Sequence, residues 1–126
     1  MDEVKYNRIK AAFEKNGGEM SSSPELDKYL DFRGADAVTL NDKLIIFRYG
    51  SLPTTSEVFE ELIHTAQFKN GRISSALTIQ NEIEAKEKLI KYQKQYNIPD
   101  HENQQTQMQL DKLYKERQGY LCLKPQ

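Results

Sequence analysis

The sequence predicts an α+β fold, mostly α: a small β-hairpin feeding a site-bearing helix, with other helices packed around it. Three observations predict this. Apolar residues recur at helical spacing over most of the chain. Two β-like runs, 37–40 and 43–48, flank the tight-turn dipeptide Asn41-Asp42. Just after the second run, Thr54 and Glu57 stand at capping-box spacing ahead of a new helical stretch.

Taken in order, Val4, Ile9, Ala12 and Phe13 share one face of a first helix over 3–15, which Asn16-Gly17-Gly18 ends. Ser21-Ser22-Ser23-Pro24 reads as a loop, with Ser23-Pro24 starting a short helix to Leu30. The run Lys43-Leu44-Ile45-Ile46-Phe47-Arg48 is apolar on both faces, so this strand should be covered from both sides. A helix from Thr54 to about Lys69 stops at Asn70-Gly71. A second long helix is expected over 78–96. After Asn97-Ile98-Pro99, Asp100 caps a last helix to about Arg117, with Thr106, Leu110, Leu113 and Tyr114 on one face.

The chain of 126 residues suits a single domain over 1–126, and its helical opening reads like that of an excised piece. Net charge is −1, from 18 basic and 19 acidic residues, so bulk electrostatic binding to nucleic acid is not expected. A nuclease with a local basic groove stays open. No apolar run approaches the roughly 18 residues of a membrane span, and no signal-peptide pattern opens the chain. The single cysteine, Cys122, allows neither a disulfide framework nor a thiolate metal site and reads as an incidental tail residue. His101 reads as solvent-exposed, and Tyr6, Tyr29, Tyr49, Tyr92 and Tyr96 as core-packing aromatics.

The chemistry concentrates in FEELIHTAQ, residues 59–67. On a helix, Val58, Phe59, Leu62, Ile63 and Ala66 gather on one arc, and Glu60, Glu61, His64 and Gln67 on the other. That polar arc alone is what a solvated face looks like. The next helix adds a carboxylate, Glu82, between two apolar strips, one of Ile79, Ile83 and Ile90, the other of Ala85, Leu89, Tyr92 and Tyr96. A carboxylate there requires a partner. Either it pairs with Lys86, or it joins Glu60 and His64 as a third ligand of a divalent metal, with room for water. Glu84 falls on the polar side with Glu87 and Lys88. With two oxygen donors and one nitrogen, zinc is the first expectation and manganese or iron(II) the alternatives. Glu61 would act as the base for a metal-activated water. Gln67, Glu84 and Arg72 are auxiliary positions.

The succession LIIFRYG, PTTSEVF, EELIHTAQFKNG and NEIEAKEKLIKY resembles the zincin-like metallopeptidase toxin domains found at the C-terminal ends of large bacterial polymorphic toxins. The resemblance covers about residues 36–115 and implies a minimal zincin-like fold. In that family the helix after the hairpin usually carries His-Glu-x-x-His, and the next helix a further glutamate. The resemblance therefore implies Glu60 as first ligand, Glu61 as general base, His64 as second ligand, and Glu82 or Glu84 as third. It also implies an effector delivered from a bacterium into a target cell, a peptide-bond substrate there, and a cognate immunity protein as partner. Glu60 replaces the usual first histidine, adding negative charge and making a bound water less acidic.

Three functional readings follow: a metal-dependent, peptidase-like hydrolase toxin; a metal-free enzyme using Glu60 or Glu61 with His64 as an acid-base pair on RNA or a glycoside; or a non-catalytic binding module. In the second, Arg48, Arg72 or nearby lysines would hold phosphate.

Overall fold

In the computed structural model, residues 1–72, 74 and 77–123 are described, with side chains as far as 119. The elements run α1 (Glu3–Lys15), β1 (Glu19–Ser21), α2 (Pro24–Arg33), β2 (Ala37–Asn41), β3 (Leu44–Phe47), α3 (Thr55–Lys69), α4 (Thr78–Lys91), α5 (Gln93–Tyr96) and α6 (Asp100–Leu123). The fold is α+β and mostly α, as the sequence predicts.

The hairpin forms: β2 runs antiparallel to β3, with Val38 opposite Ile46, and a bulge interrupts the register between Thr39 and Asn41. The 19–21 segment, part of which reads as loop in the sequence, adds a third strand. It pairs in parallel with β3, Met20 opposite Ile45, so the order is β1-β3-β2. Central β3 is covered on both faces, as its apolar run requires. Ile45 and Phe47 pack with Met20 and Val58 under Tyr6, Ile9 and Phe13 of α1. Ile46 packs with Leu30 and Val38 on the α2 side. Gly18 is needed at the turn into β1, because any Cβ there would strike the Phe13 ring.

Helix α3 is fixed at its start by three acceptors. Thr54 Oγ1 accepts from the Glu57 N–H at 3.1 Å, and Glu57 Oε1 accepts from the Thr54 N–H at 3.0 Å. Glu102 of α6 accepts from the Ser56 N–H at 2.9 Å. These bonds satisfy donors that the first helical turn leaves unpaired and tie the helix to α6. Further along, Ile63 packs with Ala85, Leu89 and Ile98, holding α3 against α4. Phe59 stacks on Tyr96 with ring centroids 4.1 Å apart.

Several expectations are corrected. The long helix expected over 78–96 breaks at Tyr92, whose ψ of 22° departs from helical geometry, and α5 ends at Asn97 in the left-handed region. The last helix runs past Arg117 to Leu123, and the Cys122 side chain lies outside the described residues. Tyr49 does not pack in the core but is 57% exposed, beyond the end of β3. Ala66 is exposed, although it falls on the apolar arc. His101 is exposed, as expected. Among the described residues no helix is long and apolar enough to cross a membrane.

Candidate metal centre

Helices α3 and α4 lie side by side, and their facing polar residues line a cavity of about 770 Å³. Strand β2 closes one side through Ala37, Val38 and Thr39, and α6 another through Glu102 and Thr106. The polar arc of α3 is thus no solvated face. Glu61 and Gln67 are 6% and 3% exposed, and His64 and Glu60 are half-buried at the cavity wall. Burial of so many polar groups requires partners, and each has one.

His64 is held at both ring nitrogens. Its Nε2 lies 3.1 Å from Glu82 Oε1, and its Nδ1 lies 2.8 Å from Gln67 Oε1. The Gln67 amide nitrogen donates to the Asn81 carbonyl at 3.0 Å and to Glu84 Oε1 at 3.3 Å. Two acceptors on that side leave the amide oxygen to face His64, so Nδ1 must carry a proton. Nε2 is then the ring atom turned to Glu82 and the cavity, and it must give up its proton before it can hold an ion. Glu84 is fixed in turn by an ion pair with Arg72 and by Lys88 at 3.4 Å.

Glu60 is bound by the Lys86 ammonium, which lies 4.0 Å from Glu82. The Glu82–Lys86 ion pair that the sequence left open is therefore present, at 4.0 Å, while Lys86 also reaches across to bind Glu60 on α3. Glu61 turns toward the sheet, where the Thr39 hydroxyl lies 3.0 Å from both its Oε1 and its backbone oxygen.

These environments push the titrating groups apart. Burial raises the Glu61 carboxyl to about 7. The His64 charge and the Thr39 bond oppose the rise, and Glu60 and Glu82 add to it. Burial alone would lower His64, but its bond to Glu82, the charges of Glu82 and Glu61, and the Gln67 bond carry it up to about 9. Burial would raise Glu82, yet the His64 bond and the His64 and Lys86 charges hold it below the ordinary carboxylate value. For Glu84, burial is likewise outweighed, chiefly by Arg72 and Gln67, and its value is lowered.

One donor atom from each of Glu60, His64 and Glu82 lies within 4.8 Å of the other two. Tetrahedral zinc with bonds of 2.0–2.2 Å needs donors about 3.4 Å apart, so closure by at most about 1.4 Å suffices. Two carboxylates and an imidazole also suit such an ion chemically. Glu84, the alternative third ligand, is not in this group; its place is behind His64, through Gln67. Arg72 serves the same network. Arg48 is engaged by Asp31 at 2.7 Å, by Asp36 at 3.5 Å, and by the carbonyls of Asp27 and Ala35. Neither guanidinium is therefore directed at a ligand in this cavity.

Sequence reasoning missed Thr39 and Asn81. A lone threonine on a strand carries no signal of a contact 22 residues away. Asn81 uses its backbone carbonyl, which no residue type reveals. No family model matches the chain, and no curated protein or solved structure matches it.

Proposed function

We propose that this chain is a metal-dependent hydrolase domain of peptidase-like type, and that it serves as a bacterial polymorphic-toxin effector acting inside a target cell, where a cognate immunity protein silences it in the producer. The observation that carries the hydrolase reading is the convergence of Glu60, His64 and Glu82 from two helices, with buried Glu61 lining the same cavity. Glu60, His64 and Glu82 would hold the ion, zinc first and manganese or iron(II) as alternatives. When bound, such an ion supplies Lewis acidity and lowers the pKa of a water. Glu61, raised to about 7, takes and returns a proton near neutral pH. Gln67 keeps the proton on His64 Nδ1 and so keeps Nε2 turned to the cavity. Strand β2 supports a peptide as substrate. It is an edge of the sheet and lines the cavity, so an extended chain could lie along it by backbone hydrogen bonds.

The toxin assignment draws on the motif order of the sequence. Its test is expression inside a bacterium, scoring growth together with the integrity of cellular RNA. Wild type should arrest growth with RNA intact, and Glu61→Gln and His64→Ala should each restore growth. Full toxicity of both variants would refute the catalytic reading. For the metal, purified protein should carry one ion per chain and melt at a lower temperature in chelator.

One observation favours a second reading. Lys86 on Glu60 and His64 on Glu82 already balance the cavity's charges, and His64 near 9 with Glu61 near 7 form an acid and a base at neutral pH. A metal-free acid-base enzyme would keep its melting temperature in chelator and still lose activity with Glu61→Gln.

A further inference from the structure

Lys86 is the feature of the cavity that a metal centre does not require. Its side chain is 11% exposed, its ammonium is bound to Glu60, and it sits 4.0 Å from Glu82. A buried ammonium is costly to the fold unless a carboxylate answers it. A centre of two neutral imidazoles and one carboxylate brings one negative charge to a divalent ion. Here Glu60 and Glu82 bring two. With Lys86 counted, the set returns to one.

We propose that Glu60 and Lys86 act as a single unit at the metal centre, the ammonium cancelling the extra charge of Glu60 so that the pair stands in for a neutral ligand. The inference rests on the metal reading above. It gives the glutamate a physical explanation: the site keeps its charge balance by adding a cation one helix away. The pair spans 26 positions of sequence and joins α3 to α4. Glu60 can answer the ammonium through one carboxylate oxygen and offer the other to the ion. Lys86 is in this account a positioning residue and touches no substrate.

Ligand preference alone makes a clear contrary forecast. Imidazole is a good zinc ligand, so Glu60→His should bind zinc at least as tightly as wild type. Charge pairing forecasts the reverse, because the substitution leaves Lys86 beside a divalent ion with only Glu82, itself a ligand, to answer it. The experiment is zinc affinity of the full chain, by competition with a chromophoric chelator, for six proteins: wild type, Lys86→Met, Glu60→His, Glu60→Gln, and the doubles Glu60→His/Lys86→Met and Glu60→Gln/Lys86→Met. Glu60→His should bind at least about tenfold more weakly than wild type, and removing Lys86 in that background should recover most of the loss. Glu60→Gln, which keeps the shape of the side chain, should show the same pattern between its single and double forms, so that misfolding of the histidine variants does not decide the result. Lys86→Met alone should bind zinc no more weakly than wild type, since it removes a competitor for Glu60.

The proposal is overturned, with the metal reading intact, if wild type binds zinc and the effects of position 60 and position 86 simply add. If wild type binds no zinc, the metal reading falls and this inference falls with it. Circular dichroism on each variant confirms that folded proteins are compared.

Discussion

Glu61→Gln removes the group assigned as base and also a carboxylate that burial penalises, so it should stabilise the protein while abolishing catalysis. The carboxyl is 6% exposed and burial lifts it from 4.5 to about 7. The sign follows from that rise. The folded state holds the proton more tightly than the unfolded chain, so the protonated carboxyl contributes its full stability below pH 4.5, and that contribution is lost as pH rises through 7. At 1.36 kcal/mol for each pH unit, the ceiling on the loss is about 3 kcal/mol. The opposing attraction to the His64 cation is already contained in that rise, so a gain of about 1–3 kcal/mol is expected at pH 8. Near pH 4.5 the two proteins should be nearly equal. Glutamine keeps the acceptor for the Thr39 hydroxyl, so no bond is lost. Urea denaturation of both proteins in chelator, at pH 4.5 and pH 8, measures the difference. A variant less stable than wild type at pH 8, or a difference independent of pH, would refute the claim that Glu61 is a buried, penalised carboxylate.

Other perturbations test the supports of the site. Gln67→Leu strands His64 Nδ1 and removes the bonds to Glu84 and the Asn81 carbonyl, and should cost about 2–4 kcal/mol in urea denaturation. In chelator competition the same variant should lower zinc affinity about 10–100-fold. Thr54→Ala deletes the cap that starts α3 and should cost about 1 kcal/mol while leaving the three donors in place, read as a lower urea midpoint with zinc still bound. Phe47→Ala empties the centre of the sheet's core, where the ring is 1% exposed, and should cost about 3–5 kcal/mol in the same denaturation experiment.

The helices and the hairpin were legible because their signals are local. Thr54 and Glu57 mark a helix start within one turn, and Ile45-Ile46-Phe47 mark a doubly covered strand by composition alone. Strand β1 was not legible. Three residues, Glu19–Ser21, carry no usable period, and their partner lies more than 20 residues on. The break at Tyr92 was hidden for a similar reason, since the apolar spacing through Tyr96 continues across it. At the site, Glu82 stood out because a lone carboxylate between apolar strips has no inexpensive place to go. Glu60, Glu61, His64 and Gln67 were harder, because a polar face that lines a cavity has the same helical pattern as one that faces water. Only the packing of α4, β2 and α6 around that face tells the two apart. The closer contact of Lys86 with Glu60, beyond its pairing with its own helix neighbour Glu82, is tertiary, set by how α4 lies against α3.

The central claim, that Glu60, His64 and Glu82 hold one divalent ion, is tested most directly by anomalous diffraction across the zinc edge from crystals grown with zinc. The account predicts one peak within about 2.0–2.2 Å of a Glu60 oxygen, His64 Nε2 and a Glu82 oxygen, with Gln67 still on Nδ1. A cavity without that peak, with His64 Nε2 still bonded to Glu82, would contradict it.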